Sequence, residues 1–416
     1  MGTKGMQTVL ADLHVHIGTA AGRRVKVTAS RDLTLQRIVR ECAEKKGIGM
    51  VGVVDCCSNA VMSEMEAHVA SGLLQELEGG GLLYDNKVTL IPGCETEAVE
   101  SWGAPAHYVC YFPRLAHTKQ FSDELHTLVT NADLSSQRCF APAQRVWAMC
   151  EEAGGFMVPA HAFTPHRSIF GSAARRLSDV FDERALASIP AIELGLSADS
   201  EMADHIGELA RFTFMSNSDA HSPEKIAREY NALEIGQPTY AELLMALRRE
   251  KGRRVSANYG LDPRLGKYHR TSCLVCQSIA SAPPPVLSCD ACGSEKVVKG
   301  VLDRLVEIQD RPEARPPQHR PAYVHQIPLQ FTPGIGPVAY AKLLQRFGTE
   351  MAVLHSAPQE ELALVVGRRG AATIVAARLG RLPVRAGGGG RYGRAIGSAG
   401  ESQMNFDWAC EAGTRD

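Results

Sequence analysis

At 416 residues, with 44% hydrophobic and 22% charged residues, the chain has the balance of an ordinary globular protein of two or three domains, which excludes a small disulfide-stapled fold. No apolar run approaches the roughly 20 residues needed to cross a bilayer, and the N-terminus lacks a signal peptide's basic region and apolar core; the expectation is a cytoplasmic, nucleoid-associated protein whose 12 cysteines are thiols or metal ligands. The net charge of −1 hides an asymmetry: residues 251–416 carry 22 Lys and Arg against 14 Asp and Glu, whereas residues 1–250 carry 23 against 32, a division suited to chemistry in one half and polyanion binding in the other.

The first strand is expected at Val9–His16 and ends in Asp12-Leu13-His14-Val15-His16. Side chains alternate faces along a strand, so Asp12, His14 and His16 project together, an acceptor and two imidazoles aimed at one point. Further strands are expected at Met50–Asp55, Val88–Pro92, Tyr108–Phe112, Phe156–His161, Ala191–Leu196 and Phe212–Ser216, with helices over Leu33–Lys46, Ser63–Leu77, Ala143–Ala153 and Tyr240–Arg249. About seven βα units in residues 1–255, with no G-x-G-x-x-G loop after any strand, predict a distorted α/β barrel and not an open doubly wound sheet. Candidate ligands fall at or near the strand ends, where barrel enzymes place their sites: His14, His16, Asp55, Glu95, His107, His161, Asp219 and His221.

After residue 256 the texture changes. Cys273, Cys276, Cys289 and Cys292 have the C-x2-C-x12-C-x2-C spacing of a structural zinc site, placed in a domain over residues 256–310. Pro-rich residues 311–325 read as a linker, followed by a helical domain over 326–385. There Gly334-Ile335-Gly336 precedes a helix, and a weaker copy, Gly367-Arg368-Arg369-Gly370, precedes another; both resemble the phosphate-facing turns of helix-hairpin-helix proteins. Residues 386–416 read as a glycine-rich basic tail, either disordered or a phosphate-contacting loop. The DNA-contact candidates are Gly334, Gly336, Arg368, Arg369, Arg391 and Arg394.

Imidazoles and carboxylates without thiolates suit zinc, manganese or iron in a site that keeps positions open for substrate. A bridging carboxylate, assigned to Glu95, would draw two metals to about 3.5–4 Å, the spacing used in phosphoester hydrolysis. In this reading His14, His16 and Asp219 complete one metal, His107 and His161 the other, and Asp219, His221 and Glu95 are the catalytic candidates.

Taken together, Asp12-Leu13-His14-Val15-His16, Asp55, Gly93-Cys94-Glu95, His107, Pro159-Ala160-His161 and Ser218-Asp219-Ala220-His221 resemble the polymerase-and-histidinol-phosphatase (PHP) superfamily over residues 8–230. That resemblance implies a seven-stranded distorted barrel with two or three divalent metals. The four-cysteine ribbon, the helix-hairpin-helix-like segment and the glycine-rich end extend it to the endonuclease Q family. Its implied activity is repair cleavage of DNA, double- or single-stranded, 5′ of uracil, hypoxanthine, xanthine or an abasic site, leaving a 3′-hydroxyl and a 5′-phosphate; a replication sliding clamp stays open as a recruiting partner. The chain departs from the superfamily at Cys56-Cys57, where a histidine is usual, so Asp55, His221 and Cys57 are left to hold a third metal. Two rival readings are a histidinol-phosphate-like small-molecule phosphatase and a non-catalytic DNA-binding accessory protein.

Overall fold

The computed structural model describes residues 5–397. Residues 1–4 of the expected barrel and 398–416 of the expected tail lie outside the described residues. Strands β1 (Gln7–Val15), β2 (Met50–Val53) and β3 (Val88–Val99) lie side by side and parallel. Most of their residues are buried on both faces, which is why they appear in sequence as continuous apolar runs. β4 (Pro105–Tyr111) and β5 (Phe156–Pro159) extend this sheet antiparallel. β6 (Ala191–Glu193) and β7 (Thr213–Met215) form a separate parallel ribbon.

β8 (Tyr230–Ile235) returns antiparallel to the other edge of β1, followed by β9 (Arg254–Gly260) and, parallel to β9, β10 (Ala322–His325). The ribbon forms no ladder with the sheet and is joined to it by separate bonds, among them Ala162 N to Glu193 O (2.8 Å), Asn258 Nδ2 to Phe214 O (3.0 Å) and Ser216 N to Asn231 Oδ1 (3.0 Å). All seven expected strands are present, and the fold is α/β as expected. The sequence reading left out β8 and β9, although Ala232, Leu233 and Ile235 carry an apolar signal. Simple βα repetition is also corrected, because β4, β5, β8 and β9 pair antiparallel.

Local chemistry sets the helix limits. α1 (Leu35–Arg40) starts where the Thr34 hydroxyl accepts from Arg37 N (3.3 Å), continues as a wider turn to Lys46 and stops at Gly47, whose φ of +84° closes the last turn. α2 (Asn59–Ala70) begins earlier and ends sooner than expected, because Gly72 (φ +77°) breaks the run and Leu74–Glu76 becomes a strand. α3 (Leu115–Leu125), α4 (Ala143–Glu152) and α5 (Tyr240–Arg248) cover the sheet; the last two match expectation to within a residue at each end.

The expected domain limits do not divide the molecule. Residue 255 falls inside β9, and the expected linker contains β10, which pairs with it. α6 (Val301–Ile308) sends Val301, Leu305 and Ile308 into the core that holds Trp147, Phe163 and Phe170. α7 (Pro337–Phe347), α8 (Glu350–His355) and α9 (Gln359–Arg378) share a core with Val15, Val53 and Tyr230 through Leu343, Val353, Leu362 and Ile374. α9 is broken at Gly367 (φ +75°), at the second expected hairpin turn. Residues 386–397 are no loose tail: Gly393 N donates to Leu265 O (2.9 Å) and Gly387 N to Arg264 O (2.8 Å). A Cβ at Gly393 would lie 2.4 Å from Arg264 O, so only glycine lets the two backbones approach this closely.

One ion pair locks the helical segment to the sheet. Lys46 Nζ lies 2.7 Å from Glu350 Oε2, with both side chains fully buried, and Glu350 also accepts from Leu329 N (2.7 Å) and Tyr340 OH (3.1 Å). Lys46→Met leaves that carboxylate buried without its cation and is expected to cost about 3–5 kcal/mol. Denaturant unfolding of this variant and of Lys46→Met/Glu350→Gln checks it: the double change should recover most of the loss, and equal stability of the single variant and the parent would refute the role.

Candidate functional site

The expected ligands converge from five segments. His14 lies near the end of β1 and His16 just beyond it, Glu95 within β3, His107 on β4, His161 two residues past β5, and Asp219 and His221 in the loop after β7. His14 Nδ1 meets Glu193 Oε2 at 3.0 Å, and His16 Nδ1 meets Asp55 Oδ1 at 2.9 Å. With Nδ1 occupied in each ring, the buried Nε2 atoms have no hydrogen-bond partner and face inward. They stand 3.5 and 3.6 Å from opposite oxygens of Glu95, and 3.7 and 3.4 Å from Asp219 Oδ1. On the other side of Glu95, His107 Nδ1 (2.9 Å) and His161 Nε2 (3.4 Å) approach Oε1.

Three overlapping groups of ligand atoms therefore each fit within 4.8 Å: His14, His16 and Glu95; His16, Asp219 and His221; and Glu95, His107 and His161. Orphaned imidazole nitrogens facing shared carboxylates, with His14 and His16 each backed by a further carboxylate, make a donor set and outer layer that could hold a divalent metal. Burial alone would raise the Glu95 carboxyl, but His107, Lys26 and His16 hold it well below the usual carboxylate range. Burial opposes charge on His14, yet Glu193, Glu95 and Asp219 outweigh it and set its pKa well above the ordinary histidine value. Burial and the neighbouring His16 lower His221 to about 3, so its imidazole is neutral.

Two expected ligands stand elsewhere. Asp55 spends Oδ1 on His16 and the Ser135 hydroxyl and Oδ2 on Ile17 N (2.5 Å), so it orients His16 and does not join the converging atoms. Cys57 packs with Cys94, Cys110 and Phe121, and burial pushes its thiol well up. Lys26 instead brings an ammonium 2.9 Å from Glu95 Oε2 and 2.5 Å from Ser136 Oγ. Asp12 shares the strand face but accepts from Ser218 N (3.0 Å) and Ala227 N (2.8 Å), stapling the loop that carries Asp219; burial pushes its carboxyl up to about 6.

Sequence reasoning missed Lys26, Glu193, Asn217 and Arg228. Asn217 donates to Glu193 Oε2 (3.1 Å) and accepts from Leu13 N (3.0 Å), while Arg228 Nε donates to Ser218 O (2.7 Å). Glu193 is an acidic residue inside the otherwise apolar expected strand Ala191–Leu196, the one signal that could have found it, and it ends the observed strand. His161 (φ +30°) and Asp219 (φ +45°) both adopt left-handed backbone, which aims their side chains into the cluster at a cost in local strain.

A cavity opens over His107, His161 and Asp219. The loop after His161 walls it through Thr164, His166 and Arg167, and the basic half closes it with Lys267, Tyr268 and Tyr392. Farther out, the four cysteine sulfurs cluster, with Cys273 to Cys292 at 3.7 Å and Cys276 to Cys289 at 3.5 Å. These separations fit the edge of about 3.8 Å that tetrahedral Zn–S bonds of about 2.3 Å require. Among the expected DNA contacts, Gly334 and Gly336 leave open space where a Cβ would sit, Arg368 and Arg369 follow the break in α9, and Arg394 lies on the terminal hairpin. None of these five lines the metal-site cavity; Arg391 lines its neighbour.

Glu193→Gln and Asp55→Asn should each weaken metal binding about 10–100-fold, measured by competition with a chromophoric chelator, and unchanged affinity would remove their orienting role. Because His14 holds its proton strongly without metal, metal must displace that proton, so affinity should rise with pH; calorimetry in buffers of different ionisation enthalpy reads the released proton. Separately, Cys276→Ser should lose one zinc per chain by elemental analysis.

No protein-family model matches the chain. It is 46% identical over 392 residues to the uncharacterized protein YqxK of Bacillus subtilis (strain 168), covering 94% of this chain and 99% of that one. Among solved structures it is similar to the novel lesion-specific endonuclease PfuEndoQ from Pyrococcus furiosus, with TM-score 0.80, 31% identity and coverage of 94% of this chain and 95% of that one. A complex of endonuclease Q with a 27-mer duplex carrying an abasic lesion at the active site gives TM-score 0.81 and 31% identity over 97% of this chain and 100% of that one. With near-complete coverage on both sides and the metal-ligand constellation in place, the chain belongs to the endonuclease Q family.

Proposed function

We propose that this protein is a metal-dependent DNA repair endonuclease that takes a deaminated base or an abasic site into the cavity over Glu95 and hydrolyses the phosphodiester 5′ of it, leaving a 3′-hydroxyl and a 5′-phosphate. The observation that carries this reading is the composition of that cavity. Its floor is the ligand cluster of the acidic half, and its rim is Arg228, Lys267, Tyr268 and Tyr392. A site that joins metal ligands to cations and aromatic rings suits one nucleotide drawn out of a strand, with the phosphate on the floor and the base against the rings. Removing a nucleotide from the stack costs a few kcal/mol, least where pairing is already lost, as at uracil, hypoxanthine, xanthine or an abasic site.

His14, His16 and Asp219 would hold one divalent metal and His107 and His161 another, with Glu95 shared; zinc, manganese and magnesium all suit the donors. Bound there, the metals would supply Lewis-acid polarisation of the phosphate and of an attacking water. Asp219 and His221 orient that water from the loop that Asp12 and Arg228 hold in place. Lys26, fixed by Glu95 and Ser136, supplies the positive charge at the position where a third metal was expected, since Asp55 and Cys57 do not reach it. We read the sheet and its ribbon as the distorted PHP-type barrel and the paired turns at Gly334–Gly336 and Gly367 as helix-hairpin-helix-like phosphate contacts. Similarity to a lesion-specific endonuclease, and to an endonuclease Q bound to a duplex with an abasic lesion, supports the same reading. The small-molecule phosphatase reading leaves unexplained why the basic half forms the rim.

Purified protein with manganese, magnesium or zinc should nick a duplex 5′ of a single deoxyuridine, deoxyinosine or abasic site and spare the undamaged control. No nicking with any metal and lesion would sink the assignment. Asp219→Asn should abolish cutting while retaining binding. Since β9 and β10 belong to one sheet, charge removal tests the DNA surface better than truncation: Arg368→Ala/Arg369→Ala should lower the slope of log K against log salt by about 0.9 for each phosphate that these side chains neutralise.

A further inference from the structure

The four-cysteine segment carries exposed apolar side chains that its own fold does not use. Leu274 is 66% exposed, Val275 61% and Leu287 72%, although each large aliphatic group left in water forgoes burial. Leu274 and Val275 are the two residues between Cys273 and Cys276. Their backbone is fixed: Val275 N (3.3 Å) and Cys276 N (3.5 Å) donate to Cys273 Sγ, and Leu274 N donates to Lys296 O (2.9 Å). The pair is therefore held outward on a rigid turn.

Beneath it lies a second cavity. Arg270, Lys299 and Arg391 line it, no carboxylate does, and Leu274 forms part of its wall. It adjoins the metal-site cavity, because Pro165, His166 and Tyr268 line both, with the His166 ring edge-on to Tyr268 at 5.7 Å between centroids. Lys299 also pairs with Glu307 (2.6 Å), which lies outside the lining; a polyanion leaving the metal site past Tyr268 meets Arg270, Lys299 and Arg391 and an apolar edge there.

We infer that Leu274 and Val275 form a wedge that enters the base stack beside the displaced nucleotide, while Arg270, Lys299 and Arg391 hold the phosphates of the strand next to it. The inference rests on the endonuclease reading and assigns the zinc turn its work. Apolar side chains inserted at a base step offset the cost of unstacking, and a wedge already fixed by Cys273 loses little conformational entropy on insertion. Arg391, in the glycine-rich hairpin, and Lys299, ahead of α6, bring the phosphate contacts from two further segments to the same channel.

The test uses the full chain with Asp219→Asn to prevent cutting, and a duplex with 2-aminopurine next to a deoxyuridine. The parent should raise 2-aminopurine fluorescence on saturation, reporting loss of stacking. Leu274→Ser/Val275→Ser should lower that rise about tenfold while still binding and keeping one zinc per chain, and Leu274→Met should behave as the parent. An undiminished rise in the double variant overturns the wedge. That result is distinct from failure of the endonuclease reading, in which the otherwise unaltered enzyme would nick no lesion duplex at all.

Discussion

A buried carboxylate governs this molecule. Glu95 is almost wholly removed from water in the middle of a sheet, and a charge so placed is tolerated only when cations or strong donors surround it. His14, His16, His107, His161 and Lys26 do so, each from a different point of the chain. The sheet must bring the ends of β1, β4 and β5 together for that ring to close, and the left-handed turns at His161 and Asp219 complete it. What relieves the desolvation of Glu95 is also what a metal-dependent hydrolase needs.

Around that ring is a further set of acids whose task is orientation. Glu193 and Asp55 each take the Nδ1 of one histidine, which fixes the tautomer and turns the other nitrogen inward; Asp12 spends its oxygens on the loop bearing Asp219. Glu193, Asp55 and Asp12 thus decide how the converging side chains are presented.

The basic half is not appended to this centre but built into it. β10 joins the main sheet, α6 enters one core, and α7 to α9 enter another behind the buried Lys46–Glu350 pair. Tyr392, far along the chain, consequently lines the same cavity as His107. A surface that must hold DNA in register with a metal centre gains from this interlock, because relative motion of the halves would require opening a shared core.

Much of the site was legible beforehand because metal binding restricts residue type and strand ends restrict position: His14, His16, Glu95, His107, His161, Asp219 and His221 all arrive where the sequence places them. The cysteine spacing likewise needs only local turns to bring four sulfurs together. Asp55 and Cys57 show the limit of such reading, since which face a side chain turns to depends on partners distant in sequence, Ser135 for one and Cys94 for the other. Lys26, Glu193 and Arg228 belong to no motif, and a boundary at residue 255 looked natural only because pairing between β9 and β10 spans more than sixty positions. The sequence by itself determined the ligand chemistry and the α/β class, which follow from residue type and short-range periodicity. The tertiary structure alone decided which acids converge and which orient their neighbours, and that the two halves share their cores, because both are settled by long-range contacts that no local pattern encodes.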